Sequence, residues 1–199
     1  MKYILLIVAV CIVTSCKDQR QKAVYLYNSG NYEEALNLYD EVEKTSKLDY
    51  IDYYRIAAIY RSLKQNEKAI IYFNKSLELN KDNPNTLLAL GNIYEDDGYY
   101  QRAIDLYLKA LNTKGKPSDF VLFFRLGRCY EETRDVEKSI VFFTTFLVQA
   151  SEFEKAGKKL DGYENLLEYA TKYIETNASK VKSLHFDSQI FDEINKKKK

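Results

Sequence analysis

The chain has 199 residues, with 30 Lys and Arg against 29 Asp and Glu, one His, three Cys and a formal net charge of +1. This balance excludes the basic footprint of a nucleic-acid binder, and the scarcity of His and Cys excludes a clustered transition-metal site or a disulfide framework. Tyr and Phe are plentiful, at 18 and 10, whereas Gly and Pro number only 7 and 2.

At the N-terminus, Lys2 precedes an uncharged run from Tyr3 to Val13. Crossing the hydrocarbon core takes about 20 residues and a secretory apolar region about 7 to 15, so residues 1–15 are expected to be a signal peptide. The run ends in Val13-Thr14-Ser15-Cys16, which resembles the lipobox of bacterial lipoproteins. The resemblance implies cleavage before Cys16, a diacylglycerol on its sulfur and acylation of the new amino terminus, so that residues 16–17 form a lipidated end. Two or more acyl chains are what stable anchoring requires. An ordinary cleaved signal with an incidental cysteine is the alternative. Lys17 stands where inner-membrane lipoproteins typically carry Asp, so the same resemblance favours the outer membrane, on its periplasmic face.

From residue 18 onward the apolar residues recur at intervals of three and four, as in Leu87, Leu90, Tyr94 and in Ile104, Tyr107, Leu108, Leu111. This is the pattern of amphipathic helices, and it predicts an all-α chain. The tripeptides beginning at Glu34, Lys68, Arg102 and Lys138 are alike, spaced by 34 residues twice and by 36 once. Within the best copy stand Leu90-Gly91, Tyr94, Gly98, Tyr100, Ala103, Tyr107 and Ala110-Leu111. Parts of the same set recur as Ile56-Ala57, Tyr60, Ala69 and Phe73, and as Leu126-Gly127, Tyr130, Ser139 and Phe143. The first copy keeps Gly30, Tyr32, Ala35 and Tyr39 but has Lys22-Ala23 in its first half, so its first helix is the open one.

A period of ~34 with two helices per unit resembles the tetratricopeptide repeat. The resemblance covers residues 18–150 and implies an α-solenoid of four helix pairs. Small Ala57, Gly91 and Gly127 let the paired helices approach, and Gly30 and Gly98 suit the left-handed residue that ends a helix. Pro84 and Pro117 fall near the starts of first helices, where a missing amide hydrogen costs little. The two-residue excess belongs to a loop around Lys114 to Pro117.

After residue 150 the repeat fades. Leu160, Tyr163, Leu167, Ala170 and Ile174 trace one face of a capping helix or degenerate fifth repeat over 151–177. Residues 178–199 read as a polar tail that ends in four lysines.

Nothing in the sequence assembles a catalyst, and no enzyme activity, cofactor or metal is expected. His185 is isolated in the tail, Cys129 sits beside core positions, and neither a phosphate loop nor a nucleophile elbow occurs. By the resemblance, first helices line a concave groove that binds a protein or peptide partner. Its expected contacts are Tyr54 and Arg61 of repeat two, Leu88, Asn92 and Glu95 of repeat three, and Phe124, Arg128 and Glu131 of repeat four. Ile51, Ala58, Asn85 and Val121 complete the same faces. Burial of Tyr54 and Phe124 between repeats or beneath the terminal helix is the alternative. Anchor and repeats together predict a noncatalytic envelope scaffold, attached to the membrane through lipid at Cys16. A part in outer-membrane protein assembly or pilus biogenesis is the narrower alternative, and an enzyme or regulator acting on cell-wall material the rival of another class.

Overall fold

The computed structural model describes residues 18–113 and 120–180. The expected signal segment with Cys16, the Lys114–Pro117 stretch and the expected tail with His185 lie outside the described residues. Within them the chain is all-α. Residues 18–28 form α1, followed by α2 (Tyr32–Thr45), α3 (Tyr50–Ser62), α4 (Asn66–Leu79), α5 (Pro84–Asp96), α6 (Tyr100–Leu111), α7 (Val121–Glu132), α8 (Val136–Lys155) and α9 (Glu164–Asn177). A 3-10 turn, Ala178–Lys180, ends the described chain.

The helices pair because each hairpin turn repeats one piece of backbone chemistry. The N–H of Asn31, Gln65, Tyr99 and Asp135 each donates to the carbonyl five residues earlier, at 2.9, 2.8, 2.7 and 2.9 Å. This is the bond that closes a Schellman cap, and it requires a left-handed residue just before it. Gly30 and Gly98 fill that position at φ 80° and 79°, whereas Lys64 and Arg134 fill it at 60° and 63°. A non-glycine there costs about 1–2 kcal/mol; the pairing of the helices sustains it.

Above three of these turns a cation lies on a ring. Lys68 stands 5.3 Å from the centroid of Tyr60, Arg102 5.5 Å from Tyr94 and Lys138 5.2 Å from Tyr130. Each clasp joins the first helix of a pair to the start of the second and contributes about 0.5–1 kcal/mol at such an exposed place.

The chain divides into two compact units. Of the described residues, one comprises 18–93 with 113, the other 94–112 with 120–180. In the first, Ala23, Leu26, Ala35, Tyr39, Val42, Leu48, Ile56 and Ile59 form one core. Ala23 and Leu26 belong to α1, so the helix that the Lys22-Ala23 departure left open is formed and buries its apolar face. Pro84 is the first residue of α5, where its ring needs no partner for an amide hydrogen. In the second unit Phe120, Ile140, Phe143, Phe146, Leu147, Ala150, Ala170 and Ile174 pack together across α7, α8 and α9. Gly127 is where α7 and α8 meet most closely: a Cβ there would fall 2.7 Å from the Phe143 ring. Ser139 replaces the small alanine of the other pairs, and its hydroxyl finds a partner in the Gly127 carbonyl at 2.8 Å.

Two boundaries differ from expectation. Helix α8 runs on to Lys155, past the residue 150 at which the repeat pattern fades. Leu160 and Tyr163 precede α9 rather than lying on it, although both pack against the same core as Ala170 and Ile174.

Candidate functional site

The first unit contains a cleft of about 250 Å3 lined by Tyr27, Tyr50, Ile51, Tyr54, Arg55, Asn83 and Asn85. Its main wall is the first turns of α3, which start where they do because of a capping box. Asp49 accepts from the N–H groups of Ile51 and Asp52 at 2.8 and 2.9 Å, and Asp52 accepts in return from Asp49 N–H at 3.2 Å. Residues 50, 51, 54 and 55 then share one helical face. Tyr54 is seated by its ring against Phe73, at 5.6 Å between centroids.

The opposite wall is set by a buried polar joint. Ser76 on α4 donates to the Tyr50 carbonyl at 2.7 Å and lies 3.2 Å from the Thr86 hydroxyl. Asn83 caps α5, its Oδ1 accepting from Thr86 N–H and Oγ1–H at 2.9 and 3.1 Å. That leaves the Asn83 amide hydrogens as donors.

Arg55 is the single charged residue of the lining. Behind it lies Asp52, 1% exposed, whose Oδ1 stands 3.7 Å from the Arg55 guanidinium and whose Oδ2 stands 3.3 Å from Arg20 Nε on α1. Burial, more than any neighbour, holds the Asp52 carboxyl above the usual Asp range. Arg20 also donates to the Lys47 carbonyl at 2.8 Å, so one cation fastens α1 to the start of α3.

Of the residues expected to bind a partner, Tyr54 lines this cleft together with its neighbours Ile51 and Asn85. Arg61, Leu88 and Asn92 are half-buried and are not part of its lining. Tyr27, Tyr50, Arg55 and Asn83 join it unannounced. The Asp49-x-x-Asp52 box, which sets the start of α3, was the available signal for Tyr50.

In the second unit the expected residues are brought together but are engaged within the fold. Glu95 accepts from the Tyr107 hydroxyl at 2.6 Å and from Arg125 Nη1 at 2.9 Å. Phe124 lies against Phe143, Phe146 and Tyr169, at 5.4, 5.3 and 5.8 Å between centroids. Arg128 donates to the Tyr169 hydroxyl at 2.8 Å and covers its ring at 5.1 Å, and that hydroxyl donates to Glu131 at 2.6–2.7 Å. Phe124, Arg128 and Glu131, expected to meet a partner, are thus contacted by Tyr169 of the chain's own α9, the arrangement weighed as the alternative for Phe124. Cys129, between these networks, is fully buried, and desolvation pushes its thiol up to about 12, which leaves it protonated and inert.

Among the described residues no group of His, Cys, Asp and Glu could hold a metal ion, and no helix is long and apolar enough to cross a membrane.

Tetratricopeptide repeat family models match residues 49–116 and 21–42, the stretches that hold the cleft. These residues carry tetratricopeptide repeats. Among curated proteins it is 32% identical over 123 residues to the BBSome complex member BBS4 of Mus musculus, covering 60% of this chain and 23% of that protein. It is 38% identical over 61 residues to anaphase-promoting complex subunit 6 of Dictyostelium discoideum, covering 31% and 7%. The chain therefore spans less than a quarter of the length of either relative. Among solved structures, MamA superposes with a TM-score of 0.64 at 17% identity, covering 70% of this chain and 81% of that one. The C-terminal part of a TPR repeat-containing protein from Cytophaga hutchinsonii gives 0.59 at 16%, covering 82% and 68%. These likenesses establish the fold. Repeats of this kind are typically noncatalytic and bind proteins.

Proposed function

We propose that the protein is a lipid-anchored, noncatalytic scaffold of the bacterial cell envelope that grips a partner protein in the cleft of its first unit. One observation carries this reading. First-helix positions that the second unit covers with α9 remain open in the first, where Tyr54 and Ile51 line about 250 Å3 of space beside a cation and two asparagines. Few polar groups around an apolar wall are what a recognition cleft uses to fix register.

The lipobox-like Val13–Cys16 stretch supports the anchor. Helix α1 already includes Asp18, so little chain separates Cys16 from the first repeat, and the cleft works close to the bilayer. Lys17 after the cysteine favours the outer membrane.

The experiment has two arms in cells. Labelled fatty acid enters the wild-type protein and not Cys16→Ala. In-cell crosslinking recovers a prominent partner with wild type and loses it with Ile51→Ala/Tyr54→Ala. Absence of label removes the anchor; an unchanged partner list removes the cleft.

A second reading places the protein as a subunit of a larger envelope machine, such as one for outer-membrane protein assembly or pilus biogenesis. It is supported by two relatives named as members of multiprotein complexes. Co-purification of the detergent-solubilised protein as a large stable particle distinguishes it from a transient adaptor.

A further inference from the structure

The two units share one polar arrangement, and one of its members differs. Counting along the repeats, Glu95, Tyr107 and Arg125 of the second unit occupy the places that Tyr27, Tyr39 and Arg55 hold in the first. The offsets are 68 residues before the two-residue insertion and 70 after it. In the second unit the carboxylate is the hub, receiving the phenol hydrogen of Tyr107 at 2.6 Å and Arg125 at 2.9 Å. In the first unit that hub is a tyrosine.

The consequence is written in the hydrogen bonding. Tyr39 is 1% exposed, and its hydroxyl has no hydrogen-bond partner. Arg55 stands close enough to act on that hydroxyl, yet it offers hydrogens and no acceptor, so the phenol hydrogen is unmatched. A buried donor left this way is destabilising, and native folds rarely tolerate it without a reason. Arg55, Asp52 and Tyr27 all act on this hydroxyl. The Asp52 carboxylate lies behind Arg55 and is not hydrogen-bonded to the phenol, whereas Tyr27 and Arg55 line the open cleft, where no acidic side chain does.

We propose that the cleft accepts a carboxylate side chain of the partner, an Asp or Glu beside an aromatic residue, which takes the place that Glu95 fills in the second unit. The acid receives the Tyr39 hydroxyl hydrogen and one Arg55 N–H, while the aromatic ring rests on Tyr54 and Tyr50. The second unit shows that seating as well: Phe120 and Phe124, the counterparts of Tyr50 and Tyr54, carry Tyr163 and Tyr169 at 5.2 and 5.8 Å. This inference rests on the reading of the cleft as a partner-binding site and names the chemistry of the segment bound there.

The first test needs no ligand. Tyr39→Phe is expected to leave the urea midpoint of the wild type unchanged or raised, whereas Tyr107→Phe lowers its own. In a Tyr27→Glu background, which supplies the acid from within, Tyr39→Phe is expected to lower the midpoint. If Tyr39→Phe lowers it in the wild type as Tyr107→Phe does, the hydroxyl is already satisfied, by a buried water only, and the proposal is overturned.

The second test uses a fluorescein-labelled synthetic peptide of residues 160–177, which carries Tyr163, Glu164, Glu168 and Tyr169, against the full soluble chain lacking residues 1–16. Anisotropy is expected to report binding that weakens at least tenfold with Glu164→Gln/Glu168→Gln peptide, with Arg55→Met protein and with Tyr27→Glu protein. Equal binding of the Glu and Gln peptides overturns the carboxylate and leaves the cleft as a partner site. Failure of both peptides to bind also overturns the carboxylate, and the crosslinking experiment with Ile51→Ala/Tyr54→Ala then decides the partner site separately. A peptide amide and a free C-terminal acid are compared, and a requirement for the terminal acid overturns the assignment to a side chain.

Discussion

Tyr54 in the first unit and Phe124 in the second stand at the same place in their repeats and do different work. Phe124 is packed among Phe143, Phe146 and Tyr169, so its ring is part of a core. Tyr54 has Phe73 on one side and an open cleft on the other. A repeat position therefore specifies where a side chain points, and the neighbour that happens to be present specifies whether it binds or supports.

The comparison breaks most visibly through truncation. Phe124→Ala is expected to cost about 3 kcal/mol of stability, since a packed aromatic is replaced by a hole, whereas Tyr54→Ala costs about 1 kcal/mol because its outer face was already wet. Urea denaturation of both variants is the measurement, and equal losses would make Tyr54 a core residue and close the cleft as a site.

Adding a methyl group probes the same contrast from the other side. Gly127→Ala drives a Cβ to within 2.7 Å of Phe143 and should cost about 2 kcal/mol by overpacking. Its counterpart in the first unit is already an alanine, Ala57, fully buried. There Ala57→Gly is expected to cost about 1 kcal/mol, through helix propensity. Removing one oxygen is milder still. Tyr169→Phe loses the bonds to Arg128 and Glu131, which are partly solvated, and should cost about 1 kcal/mol. Hydrogen exchange of α9 amides is expected to speed up while that of α3 does not change.

The smallest effects lie at the turns. Lys64→Gly and Arg134→Gly each relieve a left-handed non-glycine, partly offset by the greater freedom of glycine in the unfolded chain, for a net gain of about 0.5 kcal/mol. Similar gains in thermal denaturation support equivalent turns in the two units. Two carboxylates sharpen the contrast by pH. Burial raises Asp52, so its contribution is full in acid and is lost as pH rises through its folded value. The Lys138 side chain lowers Asp135, so its contribution is present above the unfolded value and is lost as pH falls through the folded one. Carboxyl NMR titration should place Asp52 above the ordinary Asp midpoint and Asp135 below it.

Much of the fold was legible because a period of ~34 residues ties local chemistry to a fixed geometry. Small residues at 35, 57, 69, 103 and 127 are buried, and the turn residues at 30, 64, 98 and 134 adopt one conformation despite two being charged. The site was legible only in part. Spacing of three and four along α3 points to Ile51 and Tyr54, but Tyr27 and Asn83 come from other elements and no pattern within a helix announces them. Nor does the pattern say that α9 returns onto Phe124. Arg128 and Glu131 read as groove contacts for a partner in the sequence and hold Tyr169 once that helix arrives.

By itself the sequence determines a tetratricopeptide repeat chain with amphipathic helices, because side-chain spacing and turn chemistry act over a few residues and need no distant partner. Tertiary structure alone decides which first-helix aromatics are covered, and that the buried Tyr39 hydroxyl lacks the hydrogen-bonded carboxylate that Glu95 gives Tyr107. Those outcomes depend on contacts between residues far apart in the chain, and desolvation takes effect only where such contacts exclude water.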